Sequence, residues 1–189
     1  MSRLLGVIAV ALLFGALAAL VKGHHDGVRD TIGNLSTPWL LIALAAGLHA
    51  RTRLRGAVLG LIATGAALLG FYVVVAVTAD DGHLVHVLRE NRRWLFSGLV
   101  SGPVLGAFGA WLNRRATDVP RAVTTVIALL LILEPLVIVS ARIVPGWREV
   151  IHWHLSAPVY IAEAVLGIAL LGLALWSSRL RSGPTSTPS

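Results

Sequence analysis

The sequence predicts an all-α polytopic membrane protein, six transmembrane helices in a compact bundle, and three observations predict it. Hydrophobic residues make up 56% of the 189-residue chain and charged residues only 13%, too much apolar surface and too little charge for a water-soluble domain. The apolar residues fall in windows of about 20, enough to cross a hydrocarbon core of roughly 30 Å. These runs are continuous and do not alternate with period two, which argues against a strand barrel.

The spans follow in order at 4–21, 36–50, 56–78, 94–112, 122–142 and 157–177. The first, MSRLLGVIAVALLFGALAALVKG, has the outline of a signal peptide, but its apolar run is long and its small pair Ala16 and Ala18 lies inside that run, so a retained helix is expected. The second is short because Arg51, Arg53 and Arg55 close it; it is expected to be tilted, partly interfacial, or to start before its apolar run. The third carries Gly56, Gly60, Gly65 and Gly70. The fourth carries Gly98, Gly102, Gly106 and Ala110 at spacing four, with Pro103 among them, and small residues at that spacing let helices approach closely in lipid. The fifth and sixth each hold one carboxylate. Residues 1–181 are thus one six-helix transmembrane domain, followed by a polar tail, 182–189, expected to be disordered.

The formal charge is +7, and one of the sixteen basic residues is lysine. They sit at the ends of apolar segments, as a membrane protein places them, so the basic balance does not point to nucleic acid. Basic residues favour the side holding the N-terminus, the 51–55 turn, the 113–121 loop and the C-terminus. Both termini are therefore expected in the cytoplasm. Cysteine is absent, so disulfide and thiolate chemistry are excluded.

The fifth span reads LLLILEPLVIV, with Glu134 directly before Pro135, and the sixth reads YIAEAVLGIALLG with Glu163. At 1.5 Å per residue, Glu134 lies about 12 Å and Glu163 about 9 Å from the outer ends of their spans. A carboxylate at such depth costs at least ~2.5 kcal/mol and persists only paired, hydrated or protonated. No Arg or Lys lies deep in any span, which leaves two readings. Either the acids hydrogen-bond across helices as structure, or they line a wet, outward-facing pocket for a small, cationic or hydrogen-bonding solute. Tyr72, Tyr160 and Trp94 fall near the same level and would serve as its walls, or belong to the interfacial aromatic belt.

Six histidines fall in the three loops assigned outside: His24, His25, His83, His86, His152 and His154, with Asp26, Asp80 and Asp81 beside them. Imidazole and carboxylate suit a divalent metal such as zinc, nickel or copper, although no HExxH or closed ligand array occurs; ordinary loop polarity is the alternative. No nucleophile–histidine arrangement, phosphate-binding glycine loop or soluble catalytic acid pair stands out, which weighs against an enzyme and leaves that question open.

Taken jointly, NLSTPWLLIALAAG (34–47), LLGFYVVVAV (68–77), LFSGLVSGPVLGAFGAW (95–111), Glu134 and AEAVLG (162–167) resemble an actinobacterial family of small integral membrane proteins, domain of unknown function 6518. The resemblance covers about residues 5–178 and implies six helices in a bacterial cytoplasmic membrane. Asn34, Pro38 and Trp39 match its first element; Phe71 and Tyr72 match an aromatic pair where two tyrosines are expected; Gly102, Pro103, Gly106, Glu134 and Glu163 match the rest. The histidine-rich loops do not match it. Size and helix number are also similar to the substrate-capturing subunits of energy-coupling-factor transporters, which implies a partner subunit docked on the small face of the first helix, Ala11, Gly15 and Ala19.

The leading expectation is binding or transport of a small solute. The alternatives are a non-catalytic accessory subunit of a membrane complex, or a membrane enzyme acting on a lipid-like substrate through Glu163 and His152 or His154.

Overall fold

Small residues organise the helices more than large ones do. The structure, a computed structural model, describes residues 2–22, 27–78, 84–145 and 155–181. All regular elements there are helical: α1 (Ser2–Lys22), α2 (Val28–Gly33), α3 (Thr37–Leu48), α4 (Arg53–Thr78), α5 (Leu84–Glu90), α6 (Arg92–Arg115), α7 (Val119–Ile143) and α8 (Ala157–Arg181). Among the described residues six stretches are long and apolar enough to cross a membrane, and the chain is a multi-pass membrane protein. The polar tail at 182–189 lies outside the described residues.

Two compact units result: α1–α6 with residues 155–156, and α7 with α8. In the first unit α4 is the central helix, packed against α1, α3 and α6. The contact with α6 is a glycine seam. A Cβ on Gly60 would overlap the carbonyl oxygen of Gly102, so the helices meet backbone to backbone there, while one on Gly98 would come 2.7 Å from the Leu68 side chain at Cδ1. On the other side of α4, a Cβ on Gly15 of α1 would overlap the Ala67 carbonyl, and one on Gly70 would overlap that of Leu12. Ala11, Ala46, Ala63 and Ala67 form the small-residue core between α1, α3 and α4. Gly65 faces open space, and so lies off both seams.

This packing corrects one expectation. The small-residue face of the first helix is not free for a docking subunit: Ala11 and Ala19 are buried and Gly15 is closed against α4. The reason is that α4 presents its own small face, Ala63, Ala67 and Gly70, to the same stripe.

The second span is two helices. α3 has 12 residues, a rise of about 18 Å. α2 precedes it, and Asn34, Leu35 and Ser36 break the helical run between them. Asn34 closes α2: its Nδ2 donates to the Asp30 carbonyl at 2.8 Å and to Asp30 Oδ1 at 2.9 Å. Its Oδ1 accepts from Lys22 Nζ at 3.2 Å, tying the break to the end of α1. Pro38 in the first turn of α3 starts that helix without a lost hydrogen bond. Arg29 of α2 donates to the Leu20 and Val21 carbonyls at 3.2 and 3.0 Å, which caps the last turn of α1 with a cation.

In the second unit α7 and α8 pack on each other; as consecutive spans of a polytopic chain they run antiparallel. Asp118 caps α7 by accepting from the Arg121 N–H at 3.2 Å. A Cβ on Gly167 of α8 would come 2.8 Å from the Ala128 carbonyl oxygen of α7, so the two helices approach closely there.

Candidate functional site

The break between α2 and α3 opens onto a cavity of about 150 Å³ in the first unit. Lipid tolerates non-helical backbone at membrane depth only where protein buries it or a cavity hydrates it, and here Asn34, Leu35 and Ser36 line the space. Trp39 and Leu40 continue the wall from the first turn of α3. α4 contributes Thr64, Leu68, Phe71 and Tyr72, spaced so that one helical face carries all four. α6 contributes Trp94, Ser97, Gly98 and Ser101 by the same periodicity, with Asn91 just before it and Lys22 from the end of α1.

Two features give this cavity chemical character. One wall is aromatic. Trp39 stands edge-on to Phe71 with centroids 5.5 Å apart, Phe71 edge-on to Tyr72 at 5.3 Å, and Phe14 supports Trp39 from behind at 5.3 Å. The other feature is polar. Thr64 is only 5% exposed, and its hydroxyl oxygen has no hydrogen-bond partner among the described residues. Glycine puts it there: Gly102 brings α6 so near that an added Cβ would lie 2.8 Å from Thr64 Oγ1. A buried hydroxyl without a partner forfeits its hydration; this one is sealed against Gly102, and a guest pairs with it when the Thr64 side chain turns toward the cavity. A cavity of this volume admits a molecule the size of a single ring or a few waters. Among the described residues lining it, Lys22 is charged and none is acidic.

The structure places the expected site residues in two groups. Tyr72 and Trp94 line the cavity. Glu134, Tyr160 and Glu163 belong to the α7–α8 unit and are not among its lining residues. Glu134 and Glu163 are 8% and 6% exposed, and Tyr160 is buried with them. Tyr160, Glu163, Gly167 and Ala174 repeat at helical spacing on the buried stripe of α8. Counting antiparallel from the Gly167–Ala128 contact, Glu163 comes level with residue 132 of α7, so the two carboxylates differ by about 3 Å along the axis. Pro135 has no N–H to give the Leu131 carbonyl, so the α7 backbone beside Glu134 carries an extra acceptor.

His24, His25, His83, His152 and His154 lie outside the described residues, and His86 is placed only by its backbone in α5. Among the described residues no group of three or more His, Asp or Glu stands together as a metal site would.

Asn34, Ser36, Trp39, Thr64, Asn91, Ser97 and Ser101 were not singled out as ligand-binding from sequence. The signal was present in periodicity: Trp94, Ser97 and Ser101 share a face of α6, as Thr64, Leu68 and Phe71 do on α4.

No curated protein and no solved structure matches the chain. A family match does exist and spans residues 1–186, which takes in Asn34, Trp39, Phe71 and Tyr72 around the cavity as well as both buried glutamates. The chain therefore belongs to the family of unknown function DUF6518.

Proposed function

We propose that the chain binds a small solute in the cavity of its first unit and moves it across the bilayer, and that Glu134 and Glu163 of the second unit bind the cation this transport requires. The observation that carries this reading is the interrupted second span: its break lines a cavity whose wall includes Thr64, with the unpartnered hydroxyl buried behind it. Discontinuous helices in transporters expose backbone groups to substrate in this way. The lining suits a solute with a flat or apolar face for Trp39, Phe71 and Tyr72, and a polar edge for Thr64 and Asn34.

The same reading puts the protein in a bacterial cytoplasmic membrane with both termini inside, so that the cavity faces outward. It also leaves room for a separate energising subunit, as the likeness to energy-coupling-factor capture subunits suggests, docked on a surface other than the closed face of α1.

Equilibrium binding of a metabolite panel to purified protein tests it, comparing wild type with Thr64→Val, Glu134→Gln and Glu163→Gln. Thr64→Val weakens the solute that wild type retains, and the two glutamine variants remove the dependence of that binding on cation. A panel that binds wild type and all three folded variants equally defeats the proposal.

A further inference from the structure

A second cleft lies at the opposite end of the first unit, where α4 begins and α6 ends. Arg53, Trp111, Arg114 and Arg115 line it, and its volume is about 380 Å³. Arg51 and Arg55 stand beside it in sequence, and all five arginines are exposed. Arg114 Nη1 donates to the Arg51 carbonyl at 3.5 Å, which ties the last turn of α6 to the turn before α4. None of the lining residues is acidic, and neither residues 51–55 nor 111–117 contain an acid.

The charges are not all explained by the helices that carry them. Arg114 and Arg115 complement the negative end of α6. Arg53 and Arg55 do the reverse: they occupy the first turn of the 26-residue α4, whose N-terminal end is itself positive. A cleft lined by three guanidiniums, at a helix N-terminus and without a carboxylate in its lining, calls for an anion. Trp111 sets its level. The indole is 36% exposed and stacked on Phe108 at 5.4 Å, the placement of an aromatic at the membrane–water interface. The anion abundant at that level is the lipid phosphate. Arginine forks match phosphate oxygens in pairs, and basic pockets between spans take anionic head groups. Beyond the cleft, Leu54, Val58 and Leu61 leave an apolar ridge on α4 exposed for acyl chains.

We propose that this cleft seats the phosphate head group of an anionic phospholipid, held by Arg53, Arg114 and Arg115 against Trp111. The lipid joins the N-terminal turn of α4 to the C-terminal turn of α6, closing by charge the end of a seam that glycines close by contact.

The test uses the full-length protein in neutral detergent, with thermal unfolding and native mass spectrometry as readouts. The probes are phosphatidylglycerol, phosphatidylcholine and inorganic phosphate, each added separately. Phosphatidylglycerol should raise the midpoint and stay bound, phosphatidylcholine should do neither, and millimolar phosphate should give only a small shift. Replacing Arg53, Arg114 and Arg115 together by Gln should weaken phosphatidylglycerol at least tenfold, while Arg92→Gln with Arg93→Gln, at the other end of α6, should leave it unchanged. If the triple Gln protein does not fold, the triple Lys version carries the test: it keeps the charge, loses the fork, and should retain the lipid less well than wild type. Equal shifts from both lipids, an unchanged response in the folded triple variant, or a full response to phosphate alone would each overturn the assignment, the last in favour of a free-anion site.

Discussion

Gly106 of α6 and Gly56 of α4 face each other reciprocally: a Cβ on either one would overlap the other's carbonyl oxygen. A Cβ on Gly47 of α3 would meet the same Gly106 carbonyl, so three helices converge on one residue without a side chain. Overpacking at such a point forces backbone to move, at about 1–3 kcal/mol. Gly106→Val should lower the unfolding midpoint accordingly in detergent. Gly65→Ala, on a side of α4 where nothing lies within 4 Å, should not.

Thr64 offers a prediction of opposite sign. Its hydroxyl is buried and unpartnered, so Thr64→Val replaces a desolvated polar group by a methyl of the same shape. The unliganded protein should gain about 1 kcal/mol in stability, while solute affinity falls. Thr64→Ser keeps the hydroxyl and should keep the affinity. A valine variant that is less stable than wild type would show that the hydroxyl is satisfied.

Thr31 is fully buried, and its Oγ1 accepts from the Ser156 N–H at 2.9 Å. This bond joins positions 125 residues apart in the chain. Thr31→Val strands that amide and should cost about 1–3 kcal/mol, with faster hydrogen exchange at Ser156 as the local signature.

Glu134 and Glu163 share the buried interface of the α7–α8 pair at nearly the same level. Their substitutions should therefore be non-additive. A double-mutant cycle with Glu134→Gln and Glu163→Gln, read by thermal stability, should return an interaction energy of about 0.5–3 kcal/mol. Strict additivity would place the two side chains out of reach of each other.

Five of the six spans were legible because lipid demands unbroken apolar sequence; the third, read as 56–78, is the helix Arg53–Thr78. The second was read as 36–50, too short to cross alone, and the missing part is α2, hidden by Arg29, Asp30 and Asn34. Those residues are polar because they close α1 and α2 against each other, a tertiary role that no hydropathy window registers. The glycine seams were legible in spacing, though which partner each face would choose was not. Gly15 and Gly65 look alike in sequence, yet one closes on Ala67 and the other meets nothing. The carboxylates drew attention for being rare in apolar segments. Thr64 did not, because a threonine in a membrane helix usually returns its hydroxyl to its own backbone, and only the approach of Gly102 makes this one unusual.

The shortness of α3 has an electrical consequence. Water that enters as far as Asn34 leaves only about 18 Å of dry helix beneath it, where the surrounding hydrocarbon is roughly 30 Å thick. The transmembrane voltage then falls across the thinner insulating slab, and its gradient steepens beneath the cavity. An ionised guest resting there has crossed little of that drop, and nearly all the electrical work of passage, about 2.3 kcal/mol per charge at 100 mV, is concentrated in the remaining step.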